Sequence, residues 1–195
     1  IRRRGYDTHD AQDLTQEFFA CLLEKNHLGK VKRAGGKFRS FLLASLGHFL
    51  ANEWDKTKLE KRGGRVTVIS LDEEAAESRY RLESIPELSP EKLYDRRWAM
   101  ALLDQALVRL RQECVAAGKA TQFEVLKVFL DEETSAGAYQ KVSTELNMTP
   151  NSVAVAVHRL RQRYRELVRE EIAQTVASPG DLEDEMRYLF SILNG

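Results

Sequence analysis

The chain predicts an all-α fold: two helical domains joined by an acidic linker, followed by a short C-terminal helix. Three observations lead there. Apolar residues recur at three- and four-residue spacing over long stretches, the mark of helices with one buried face. Gly and Pro are sparse, 11 and 4 of 195 residues, and Gly29, Gly35, Gly36, Gly63, Gly64 and Gly118 fall between those stretches. Charged residues reach 31% beside 43% hydrophobic, a mix that suits a soluble, largely helical protein.

The first helix is predicted over residues 10–25, DAQDLTQEFFACLLEK. Ala11, Leu14, Phe18, Cys21 and Leu22 form its apolar stripe. Asp10 is a natural N-cap, and Asp13 suits the positive end of the helix dipole. A basic loop follows, NHLGKVKRAGG, residues 26–36. The second helix is expected from about Lys37 to Arg62, with Phe38, Phe41, Leu42, Leu46, Phe49, Leu50 and Trp54 as its stripe; Gly63 and Gly64 stop it. Residues 63–90 read as a polar, acidic linker, with one short extended piece at Val66–Leu71. A long helix then runs from about Pro90 to Ala117, with Ser89 as cap and Pro90 at the first helical position. Leu103, Leu107, Leu110 and Cys114 share one of its faces, with Trp98 nearby. Gly118 closes it, and another helix covers 120–131. The first domain thus spans about 1–62 and the second about 91–177.

The most informative stretch is Tyr139 to Leu167, YQKVSTELNMTPNSVAVAVHRLRQRYREL. Tyr139, Val142 and Leu146 mark one face of a short helix. Asn147 tolerates the left-handed backbone of a tight turn, and Met148 plugs the core. Thr149 is a good N-cap and Pro150 a good first residue. A longer helix then turns Val153, Val157, Leu160, Tyr164, Leu167 and Val168 inward. Helix, short turn, longer helix is the helix-turn-helix unit. Its outer face begins with Asn151, Ser152, Ala154 and Val155, then His158 and Arg159, the positions that reach base edges in a major groove. Val155 suits a thymine methyl. Arg159, Arg161, Arg163 and Arg165 suit phosphates, which position rather than specify. The plainer alternative is a helical hairpin with a solvated arginine face.

Net charge is zero, but the charges are segregated. Residues 1–65 carry 14 Lys/Arg against 8 Asp/Glu, residues 66–133 carry 9 against 14, residues 134–177 carry 6 against 4, and residues 178–195 carry 1 against 4. Two basic blocks around an acidic one suggest two contacts with a polyanion; a solvated face explains any single run equally well. In the first block Phe41, His48, Asn52 and Trp54 mingle with Lys and Arg, a combination suited to unstacked single-stranded bases, although such aromatics are more often core.

Other chemistry lacks support. There is no Gly-rich phosphate loop, nucleophile elbow or HExxH motif, so no enzyme and no cofactor is expected. His9 and Asp13 alone do not make a metal site. Cys21 and Cys114 read as buried free thiols of a cytoplasmic protein. No apolar run approaches the roughly 20 residues a membrane span needs, and no secretory signal opens the chain. It begins at Ile1 rather than Met and reads as a fragment or as the ordered residues alone of a longer chain.

Taken together, three stretches resemble the extracytoplasmic-function (ECF) sigma factors of bacterial RNA polymerase. DAQDLTQEFF (Asp10–Phe19) is similar to the region 2 signature. FRSFLLASLGHFLANEWDK (Phe38–Lys56) occupies the place of the promoter-melting helix. YQKVSTELNMTPNSVAVAVHRLRQR (Tyr139–Arg163) resembles region 4, including the His158–Arg159 pair. Order and separation match as well, over roughly residues 6–175.

The resemblance implies a protein that recruits the polymerase core and starts transcription at promoters. Asp13, Gln16 and Glu17 would dock on the clamp helices of the largest polymerase subunit, and the flap of the second largest would be a further contact. Lys30, Lys32, Arg33, Lys37, Arg39, His48, Asn52 and Lys56 would hold melted −10 DNA. Asn151, Ser152, Ala154, Val155, His158, Arg159 and Arg161 would read the −35 duplex. An anti-sigma factor or other regulator is a further implied partner. The chain departs from the pattern in lacking the usual first helix of region 2 before Tyr6, and in His48, Ala44, Ala154 and Val155, which bear on promoter preference. Two alternatives remain: a conventional helix-turn-helix regulator that binds operator DNA without core polymerase, and a non-DNA interaction protein on the same scaffold. The tail, SPGDLEDEMRYLFSILNG, lies outside the resemblance. Ser178 and Pro179 start an amphipathic helix with Leu182, Met186, Leu189, Phe190 and Leu193 on one face. It is expected either to dock on the second domain or to act as an acidic regulatory element against either domain.

Overall fold

The computed structural model describes residues 1–24, 37–59, 89–130 and 137–194, without the side chains of 55–59. Among the described residues all regular structure is helical. A 3-10 turn, Arg2–Arg4, precedes α1 (Thr8–Glu24) and α2 (Phe38–Leu59). Then come α3 (Pro90–Ala116), α4 (Ala120–Leu126) with a 3-10 turn at Lys127–Phe129, α5 (Ala138–Glu145), α6 (Pro150–Ala173) and α7 (Pro179–Asn194). The expected basic loop, the linker with its extended piece, and the Lys56 side chain lie outside the described residues. No described helix is long and apolar enough to cross a membrane.

Start signals decide the boundaries. α1 begins earlier than its periodicity predicts, because the Asp7 carboxylate, not Asp10, is the cap: it accepts from the Asp10 amide at 2.8 Å. Ser89 caps α3 as expected, accepting from the Lys92 amide at 3.2 Å. Gly118, at φ 69°, closes α3 in a left-handed conformation that glycine adopts without strain. Ser178 caps α7, accepting from the Asp181 amide at 3.3 Å while donating to the Asp181 carboxylate at 2.6 Å. α4 is shorter than expected, since its last turn tightens to 3-10.

The chain divides into two compact units, residues 1–97 with 175–195, and residues 98–174. This differs from the division expected from the sequence. The start of α3 and the entire C-terminal helix group with the first unit, where Glu185 of α7 pairs with Lys37 and Arg39 of α2.

In the first unit, α1 buries Ala11, Gln16, Phe18 and Leu22. The rings of Phe18 and Phe49, 5.6 Å apart and tilted, join α1 to α2, a favourable aromatic geometry. Leu50, Leu93, Leu182 and Leu189 complete the buried apolar set around α2, α3 and α7. Trp54, assigned to the stripe of α2 by spacing, is instead 57% exposed.

In the second unit, Leu126, Phe129, Val153 and Val157 form a core cluster on which Tyr139, Val142, Leu146, Met148 and Leu160 pack. Phe129 and Tyr139 meet edge to face at 5.4 Å. Leu110, Phe123, Leu167 and Ile172 are each at most 2% exposed. Trimming any of these to Ala would cost about 2–5 kcal/mol.

Candidate nucleic-acid interface

The second unit carries the better-defined surface. After α5 the chain turns through Asn147, at φ 50°, a left-handed value that asparagine tolerates better than most side chains. Its amide donates to Thr144 O at 3.3 Å, and the Met148 amide to Ser143 O at 2.9 Å. Both satisfy carbonyls that the end of α5 would leave open. The Thr149 hydroxyl accepts from the Ser152 amide at 3.1 Å, with Pro150 at the first helical position. Met148 packs on the core and its Sδ accepts from Gln122 at 3.5 Å. The turn thereby fixes the direction in which α6 leaves.

α6 buries Val153, Val157, Leu167, Val168 and Ile172. Its opposite side exposes Asn151, Ser152, Val155, His158 and Arg159, while Ala154 is half-buried. A groove of about 510 Å³ runs beside this face, with Asn151, Ser152, Val155 and Arg159 on one wall and Glu113, Cys114 and Lys119 on the other. The Cys114 thiol is pushed up in pKa by burial and by the Glu113 carboxylate, so it is a poor nucleophile. Both cysteines are free and half-buried.

The arginines of α6 divide by role. Arg161 donates from Nε to Phe129 O at 2.7 Å, tying α6 to the turn after α4 instead of pointing out toward a phosphate. Arg163 is held by both carboxylate oxygens of Glu113 at 2.8 Å, with Glu166 at 3.0 Å and Glu170 at 3.3 Å. The hydrogen bonds from Arg163, led by the pair to Glu113, raise its pKa further. Arg109 joins the same chain through Glu170 at 2.7 Å and Glu171 at 2.5 Å. Periodicity alone gave all four arginines to phosphate; this acid–base chain takes Arg163 into structure and leaves Arg159 and Arg165 exposed.

In the first unit, His48 and Asn52 stand one turn apart on the exposed side of α2, with Ala44 below them. Beside this side a cavity of about 350 Å³ is lined by Arg4, Tyr6, Gly47, Leu50, Ala51 and Trp54. Lys30, Lys32 and Arg33 lie outside the described residues, as does the side chain of Lys56.

Lys37 and Arg39, the other basic residues assigned to this interface, sit at the opening of α2 in an ion cluster. Arg39 is only 6% exposed. Its Nη1 is paired with the Asp95 carboxylate, and its Nε donates to Glu185 at 2.9 Å. Lys37 reaches the other Glu185 oxygen at 2.8 Å. The Tyr188 ring lies 4.7 Å from the guanidinium and 5.9 Å from the ammonium, and its hydroxyl donates to Asp95 at 2.5 Å. Tyr94 donates to Arg39 O at 3.3 Å, and burial pushes its phenol up to about 12. Arg39, expected among the residues that hold −10 DNA, has its donors facing inward here, to two carboxylates.

The acidic face of α1 also differs from expectation. Asp13 is exposed and pairs with His9 at 3.3 Å, and Glu17 is half-buried, but Gln16 is 7% exposed and turned into the unit. Asp13 and Glu17 are four residues apart on one side; Gln16 is rotated away from them toward the core. Phe19 and Leu23 are exposed on the same helix.

Sequence reasoning missed Asp95, Glu185 and Tyr188. A signal for Glu185 did exist: it stands three residues after Leu182 and four before Leu189, on the inward stripe, and a charge there requires a partner. Among the described residues no group of three or more His, Cys, Asp or Glu is arranged to hold a metal ion. Comparison with protein-family models, with curated proteins and with solved structures gave no match.

Proposed function

We propose that this chain is an ECF-type sigma factor, which recruits bacterial RNA polymerase core and reads promoter DNA in two places. The observation that carries the reading is the turn at Asn147 and Thr149, which sets Asn151, Ser152, Val155, His158 and Arg159 on one exposed helix face backed by a packed core. This is the geometry a helix needs to enter a major groove. The resemblance of Asp10–Phe19, Phe38–Lys56 and Tyr139–Arg163 to sigma regions 2 and 4, in that order, gives the face its context. On this reading residues 98–174 bind −35 duplex, and the His48–Asn52 side of α2 holds the melted −10 strand by stacking and polar contacts. The protein would act in the cytoplasm and carry out no covalent chemistry.

The burial of Gln16 favours keeping a second reading, a regulator that binds operator DNA without core polymerase. It leaves Asp13 and Glu17 as the acidic residues available for docking. Run-off transcription with purified polymerase core and a genomic promoter library decides between them. The sigma reading expects specific transcripts. It also expects Arg159→Ala to cut duplex binding and lower the salt slope by about 0.9, one phosphate contact's worth. Duplex binding without transcripts or core binding would establish the regulator.

A further inference from the structure

The C-terminal helix meets the opening of α2 through charged groups. Of the groups at the opening of α2, Lys37 and Arg39 both point at Glu185, and the first amide of the helix, on Phe38, donates to Thr175 O at 2.9 Å. A helix N-terminus bearing two cations favours an anion, and here the C-terminal segment fills that place with a carboxylate, a carbonyl and the face of Tyr188. Glu185 is 1% exposed, on a helix that also carries Asp181, Glu183 and Asp184 against a single Arg187. A carboxylate held by one guanidinium and one ammonium makes the contacts a nucleic-acid phosphate would make.

We propose that α7 is an internal phosphate mimic: docked, its Glu185 and Tyr188 occupy the Lys37 and Arg39 end of α2 and keep single-stranded DNA off it, and release of α7 opens this end for binding. The proposal rests on the reading of α2 as a melted-strand binder. Two physical features make the contact reversible rather than merely structural. A buried ion pair gives back little net stability, because desolvation offsets its attraction. Lys37 is moreover 28% exposed, within reach of a competing phosphate. Asp95 remains beside Arg39 when α7 leaves, so the guanidinium keeps one partner and the unit need not unfold to release the helix.

The test uses the full chain, its Glu185→Gln variant and an Asp184→Asn control. The control removes the same charge from the exposed side of α7, where Asp184 pairs with Arg187 at 2.6 Å. Binding of a mixed-sequence single-stranded oligonucleotide is followed by fluorescence anisotropy, and amide exchange of residues 179–194 is followed in the unmodified chain with and without the oligonucleotide. The expected result is about tenfold tighter binding by Glu185→Gln, within the range of ordinary coupling between sites, no comparable gain in Asp184→Asn, and faster exchange of α7 when DNA binds. Equal affinities in both variants overturn the proposal, and so does a DNA-bound chain whose α7 keeps its protection. The exchange measurement needs no variant, so it decides the matter even if Glu185→Gln fails to fold. Run-off transcription with the same proteins separates the two readings: a gain in DNA binding with no transcripts from any of them supports the latch and sinks the sigma assignment.

Discussion

Glu185 shows how a single buried charge takes its character from its neighbours. Burial alone would raise its carboxyl pKa, but hydrogen bonds from Arg39 and Lys37 outweigh that and hold it below the ordinary carboxylate range. The titratable groups around it are Lys37 and Arg39 from α2, Tyr94 and Asp95 from α3, and Tyr188 on its own helix. A lowered folded-state pKa means that the stabilisation is fully present above the unfolded value, about 4.3 for a glutamate, and is lost as pH falls through the folded value. Acidification below about pH 4.3 should therefore loosen α7, with faster amide exchange at 179–194. Glu185→Gln should remove most of that acid sensitivity. If the variant and the unmodified chain show the same pH profile over α7, the carboxylate assigned to this role is the wrong one.

At the scale of elements, the helix-turn-helix was the most legible part of the chain, because its signals are local. Asn147, Thr149 and Pro150 each act on the backbone within a few residues, and the inward stripe of α6 follows directly from spacing. The same locality makes the turn testable. Asn147→Val places a β-branched side chain at φ 50°, which should cost about 1–2 kcal/mol, whereas Asn147→Gly should be nearly neutral. Thr149→Ala removes the cap on the Ser152 amide and should cost about 1 kcal/mol. Thermal melts of the three variants check the order. A silent Asn147→Val would mean that the turn relaxes out of the left-handed conformation. What spacing did not disclose was the fate of the charges: Arg161 and Arg163 sit among exposed residues in sequence, yet a carbonyl of the turn after α4 and a carboxylate of α3 claim them. Gln16 was misplaced for a related reason, since a polar residue in an acidic run looks outward until the position of the core is known.

At the scale of the whole molecule, the contacts that joined the tail to the first unit were beyond the sequence, because Arg39 and Glu185 are 146 residues apart. No local rule pairs such residues; only the complete fold brings them together. The division that results, residues 98–174 against the remainder, makes a prediction of its own. Ala106, Leu110, Phe123, Leu126, Phe129, Val153, Val157, Leu167, Val168 and Ile172, all buried, lie within 98–174, as do the Glu113–Arg163 and Arg109–Glu170 pairs that tie α3 to α6. These buried residues and ion pairs all belong to one compact unit, continuous in sequence. Residues 98–174 expressed alone should therefore melt cooperatively by circular dichroism and bind duplex DNA with a salt-dependent affinity. The first unit cannot be cut out as simply, because it is discontinuous in the chain, residues 1–97 with 175–195. An excised 98–174 that is unfolded would show that the helix-turn-helix draws its stability from outside its own core. A folded 98–174 that ignores DNA at low salt would remove the support that its exposed face gives to promoter reading.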